Sequence, residues 1–103
     1  MKLRHLPVAL ALVFAAGCGG GDDPAPAAGG QQLFTDNCAN CHVLAAANAT
    51  GRVGPDMDQL RPGPDLVAAQ VANGGGGMPA FKGRLTDEQI QQIADYVAEN
   101  AGK

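Results

Sequence analysis

Tryptophan is absent from this chain, tyrosine occurs once and phenylalanine three times. Phe34, Phe81 and Tyr96 are the aromatics available beyond the leader region. A folded unit of about 75 residues with so few large side chains forms a poor core unaided, so a further apolar body is expected inside it. Basic residues are also scarce. Beyond residue 17 the cations are Arg52, Arg61, Lys82, Arg84 and Lys103, against ten acidic residues, and the formal charge of the full chain is −3. Such a balance argues against nucleic acid as a partner.

Histidine occurs twice and cysteine three times; with His5 set aside with the leader, Cys18 is the only cysteine left beside Cys38 and Cys41, a poor supply for a four-ligand zinc site. No apolar run reaches the ~20 residues of a membrane-spanning helix. Strand-like segments are almost missing, which removes the strand and helix alternation that a thioredoxin-like redox pair requires.

What is present begins with an address. Met1-Lys2-Leu3-Arg4-His5 is a basic start, and Leu6 to Ala16 is an apolar run ending in small residues, the pattern of a secretory signal. The following Ala15-Ala16-Gly17-Cys18 resembles the bacterial lipoprotein cleavage box, with Ala15 where Leu is commoner. The alternative is an ordinary signal peptide with Cys18 incidental. An exported chain with one leftover thiol is unusual, and acyl chains on Cys18 would hold the protein at a membrane surface. Gly19 to Gly30, GGGDDPAPAAGG, has no large apolar side chain and reads as a tether reaching roughly 20 Å. The expected organisation is a lipoprotein-type signal peptide over residues 1–17, a lipidated cysteine and tether over 18–29, and a folded domain over 30–103.

Within the domain, Cys38-Ala39-Asn40-Cys41-His42 is a C-x-x-C-H pentapeptide. Its two thiols can form thioethers to the vinyl groups of a haem, and its imidazole is placed to ligate the iron. A disulfide, a zinc half-site or a thioredoxin-like pair are the other uses of two such cysteines. Haem fits best, and it would also supply the missing apolar volume.

Gln31 to Cys41 is expected to be helical and to run straight into this motif, with Leu33 and Phe34 on its apolar face. From Val43 to Arg61 the chain is rich in Ala, Gly and Asp without periodicity and reads as loop, with a turn at Gly54-Pro55. A helix is expected from Pro64, with Leu66, Val67, Ala68 and Val71 as an apolar stripe and Asn73-Gly74 as its end. Gly74 to Gly77 is either a plain connector or backbone passing close to a flat cofactor.

Pro79 biases Met78 toward extended backbone. A lone Met is more often core filler than ligand, but an iron held by His42 needs a sixth ligand, and Met57 and Met78 are the thioethers on offer. Thr86 to Gln89 forms a capping box flanked by Leu85 and Ile90, opening a helix whose Ile90, Ile93, Ala94 and Val97 share one face with Tyr96 at its border.

An N-terminal helix ending in CANCH, a Gly-Pro turn, a late Met-Pro and a C-terminal amphipathic helix with an aromatic together resemble the small class I mono-haem c-type cytochromes, over residues 29–101. The resemblance implies an all-α class I cytochrome c fold, three to four helices wrapped around one covalently bound haem c. It implies that Cys38 and Cys41 carry the haem, that His42 is the proximal and Met78 the distal ligand, and that the Pro55 carbonyl accepts the His42 ring N–H. Gly30 and Phe34 match the positions where the first helix crosses the last near its aromatic, here Tyr96. The Ala-rich segment from Val43 to Pro55 departs from the pattern, and with no Trp to bond a propionate, Arg52 and Arg61 are the candidates.

The function so implied is a non-enzymatic, monomeric carrier of single electrons between redox protein partners. It is exported and tethered through Cys18 to the outer face of the cytoplasmic membrane or held in the periplasm. Lys82 and Arg84 are expected beside the exposed cofactor edge, orienting partners. The rival is a haem-based sensor in which Met78 dissociates and the iron takes a small ligand.

Overall fold

The computed structural model describes residues 26–103. The leader, Cys18 and the first part of the expected tether lie outside the described residues. Four helices and one short hairpin follow in order: α1 (Pro26–Asn37), β1 (Val43–Leu44), a single 3-10 turn (Ala45–Ala47), β2 (Ala49–Thr50), α2 (Met57–Leu60), α3 (Pro64–Asn73) and α4 (Asp87–Asn100).

α1 starts at Pro26, ahead of the expected Gln31, and takes over part of the stretch expected to be tether. Proline is tolerated in a first helical turn because its missing N–H has no partner there. Gly30 belongs inside the helix for a packing reason: a Cβ there would stand 2.5 Å from the Gln92 carbonyl oxygen and 2.5 Å from the Tyr96 Cβ. α1 also ends earlier than expected. Beyond Asn37 the chain turns, and the amides of Cys41 and His42 both donate to the Cys38 carbonyl at 3.1 Å.

The segment read as loop contains real structure. β1 and β2 pair antiparallel in the register Val43 to Thr50 and Leu44 to Ala49, and Asn48 accommodates the reversal at φ 52. Two pairs over alanine-rich sequence leave no alternation to detect. Asp56 caps α2, accepting from the amides of Asp58 at 2.8 Å and Gln59 at 3.4 Å, an ordinary N-cap that lies hidden in the Gly-Pro-Asp turn.

α3 runs from Pro64 as expected and stops at Gly74, which has φ 65. Val67 and Val71 are buried, but Leu66 of the expected stripe is 59% exposed. α4 has the complete capping box: the Gln89 amide donates to Thr86 Oγ1 at 3.1 Å and the Thr86 amide to Gln89 Oε1 at 2.9 Å. α4 is the hub, packed against both α1 and α3. Its Ile93 and Val97, with Phe34 and Leu44, are the most completely buried large side chains, and Tyr96 is buried rather than bordering the core. The rings of Phe34 and Tyr96 lie 6.3 Å apart at 46° where α1 crosses α4.

Candidate cofactor site

These elements enclose one apolar cavity of about 440 Å³, within the range of cofactor and ligand sites. One side comes from the turn after α1, with Cys38, Cys41 and His42; another from the strap between α3 and α4, with Gly75 to Pro79 and Phe81. Met57 and Leu60 of α2, Leu66, Val67, Gln70 and Val71 of α3, and Ile93 and Val97 of α4 also line it, with Phe34 of α1. Leu66 and Leu60 are exposed yet border this space, so the apolar stripe read on α3 serves two surfaces, protein core and cavity.

The turn sets the motif's geometry. Cys38 is buried and Cys41 partly so, and both thiols are free. Burial pushes the Cys38 thiol up to about 11, with the neighbouring Cys41 adding to the rise. His42 is held from behind: its Nδ1 lies 2.7 Å from the Pro55 carbonyl oxygen. A carbonyl can only accept, so Nδ1 carries the proton and Nε2 keeps its lone pair. Two glycines permit this packing. A side chain at Gly54 would overlap the His42 imidazole, and one at Gly51 would overlap the Asn40–Cys41 peptide. The Gly54 amide closes the arrangement by donating to the Cys41 carbonyl at 2.6 Å.

On the strap, Met78 is half-buried. Its amide donates to the Gly75 carbonyl at 3.0 Å while the Gly75 amide donates to the Met78 carbonyl at 2.9 Å. All four glycines from Gly74 to Gly77 have positive φ, a conformation that side-chain-bearing residues rarely adopt. The strap is tied to α3 where the Phe81 amide meets the Val71 carbonyl at 2.9 Å.

A family model described as cytochrome c oxidase, cbb3-type, subunit III matches residues 25–97. Cytochrome c6 of Leptolyngbya boryana is 46% identical over 83 residues, covering 77% of this chain and 98% of that protein. Cytochrome c6 of Parathermosynechococcus lividus is 41% identical over 80 residues, covering 74% of this chain and 92% of that protein. The chain belongs to the c-type cytochromes. Among solved structures, the c-type cytochrome SorU from Sinorhizobium meliloti superposes with a TM-score of 0.71 at 45% identity, covering 76% of this chain and 93% of that one. Cytochrome c6 from the diatom Phaeodactylum tricornutum gives 0.58 at 35% identity, covering 73% and 93%.

This c-type cytochrome is a small class I protein that binds one haem c covalently through Cys38 and Cys41, and it is a mono-haem electron carrier. The donor set fits that group: two free thiols one turn apart, an imidazole with an unprotonated nitrogen, and an apolar space bordered by all three.

Neither Arg52 nor Arg61 borders the cavity. Arg61 is engaged elsewhere, its Nε donating to the Asp58 carbonyl at 3.4 Å and its guanidinium packed where a side chain on Gly102 would sit. Asp58 itself was not legible as a structural residue. Its carboxylate accepts from the amides of Ala45 and Gly102, each at 2.8 Å, joining the hairpin, α2 and the C-terminus. Partners 13 and 44 residues away leave no local signal.

Proposed function

We propose that the protein is a membrane-tethered, exported carrier of single electrons in which His42 and Met78 ligate the haem iron. The observation that carries this reading is that His42 and Met78 line one apolar cavity together with the two motif cysteines. A bound haem c supplies a one-electron ferric/ferrous couple. The chain's part is to position and to exclude: Pro55 orients His42 with Nε2 free, and the strap presents a thioether. Phe34, Val71, Ile93 and Val97, buried side chains that line the cavity, exclude water from it. A thioether donor favours the reduced iron and raises the potential, and two protein ligands leave no open position for a substrate.

Met78 is preferred over Met57 because it stands on the glycine strap, bridged to Gly75, whereas Met57 is the first residue of α2, close in sequence to the Gly54-Pro55 turn that backs His42. Partners would be redox proteins docking through a small transient interface on the exposed surface of the strap at Pro79 and Ala80, beside the cavity that would hold the haem. Acylated Cys18 is the anchor, supported by the leader's pattern and by the cysteine count.

A redox titration of the native protein in membranes tests the function. It should show one wave fitting a single-electron couple, with no binding of carbon monoxide by the reduced form. Ready binding of carbon monoxide to the unmodified protein would favour the sensor in which Met78 dissociates.

A further inference from the structure

The guanidinium carbon of Arg84 lies 5.1 Å from the centroid of the Phe81 ring. Backbone geometry sets this stacking. The Phe81 amide is tied to Val71, its carbonyl accepts from the amides of Arg84 and Leu85 at 2.9 Å each, and Gly83 makes the reversal at φ 85. The chain thus folds back so that Arg84 stands over the ring that precedes it. That ring is buried and borders the cofactor cavity, while Arg84 is exposed. The ring's quadrupole attracts the cation to its face, which gives a long side chain a fixed station.

We infer that Arg84 raises the reduction potential of the haem by holding a positive charge against Phe81. Oxidised iron carries one more positive charge than reduced iron, so a fixed cation beside the cavity disfavours the oxidised form. The guanidinium rests on a ring that itself borders the cavity. The field is therefore attenuated less than that of a cation free in solvent at similar range. Lys82 lies on the same turn and is also exposed, which makes it the natural comparison. Within an otherwise acidic chain, Arg84 would set the driving force available to electron donors. The inference uses the haem in the cavity but not the identity of the sixth ligand, so it fails or survives independently of the Met78 reading.

The test is the midpoint potential of the haem-loaded protein, measured by spectroelectrochemistry at low and high ionic strength. Arg84→Gln should lower the potential with the visible spectrum unchanged, Arg84→Lys should recover most of the loss, and Lys82→Gln should move it less than half as far. Added salt should shrink the Arg84→Gln shift. In a Phe81→Leu background the same substitution should have a smaller effect, because the ring that stations the charge is gone. An unchanged potential in Arg84→Gln, an equal shift in Lys82→Gln, or an undiminished shift in the Phe81→Leu background would overturn the inference. So would loss of the ligated-haem spectrum in both Arg84 variants, which would make the residue a fold determinant instead.

Discussion

Gly30 on α1 and Tyr96 on α4 meet so closely that a Cβ on the glycine would stand 2.5 Å from the tyrosine Cβ. The crossing of the two helices is set by this absence of a side chain, and Phe34 one turn later packs its ring 6.3 Å from that of Tyr96. Gly30→Val forces the helices apart and should lower stability by about 1–3 kcal/mol, the usual range for overpacking a tight contact. Thermal unfolding of the haem-loaded protein measures it. An unchanged melting temperature would mean that the crossing is set elsewhere.

The Asp58 knot should show itself in the pH dependence of stability. Hydrogen bonds from the Gly102 and Ala45 amides, with a smaller contribution from Arg61, hold its carboxyl below the ordinary value of 3.8. A depressed carboxylate pKa stabilises the fold above the unfolded-state value, and that contribution is lost as pH falls through the lower folded-state value. Asp58→Asn should therefore be less stable than the parent at neutral pH, with the difference vanishing toward strongly acid pH. Parallel denaturation curves at several pH values decide this; a difference that grows on acidification contradicts the sign.

What the sequence makes legible follows from the range of each interaction. The α4 capping box and the end of α3 at Gly74 depend on neighbours in sequence and are legible there. The Cys-x-x-Cys-His turn was recognised for the same reason, though α1 does not continue into it, because Cys38 gathers two amides on one carbonyl. The hairpin at Val43–Thr50, the Asp58 knot and the second role of Leu66 depend on partners distant in the chain or on a cavity that no local pattern encodes. α1's entry into the Pro-Ala-Gly stretch was hidden because glycine at position 30 counts against a helix by propensity, while the contact with Tyr96 requires it.

Haem-free protein should not hold its fold. The cavity of about 440 Å³ is walled by Phe34, Val71, Ile93 and Val97, so emptying it removes packing from the core's largest residues. What remains must offset an ordering entropy of roughly 1–2 kcal/mol per residue, and α4 alone, at 14 residues, is marginal in water. Replacing both Cys38 and Cys41 by Ala should abolish cooperative thermal unfolding in circular dichroism. A sharp transition in that variant would show that the protein core suffices.

Anchoring is tested at the N-terminus. Intact-mass analysis of the native protein should find residue 18 as a diacyl- or triacyl-modified cysteine, and a chain beginning at Gly30 behind a cleavable signal should leave the membrane while keeping its haem spectrum. Because α1 begins at Pro26, that truncation trims the helix, so a modest loss of stability is expected alongside release. An unmodified terminus downstream of Cys18 would remove the support for the tether.

Central to the account is the pairing of His42 with Met78 on one iron, and the far-red absorption band of thioether-ligated ferric haem reads it directly. Spectra of Met78→Ala and Met57→Ala should differ sharply. The first should lose the band, fall in potential and gain affinity for imidazole, while the second keeps the band despite losing a buried core side chain. Retention of the band in Met78→Ala, or its loss in Met57→Ala alone, would contradict the assignment.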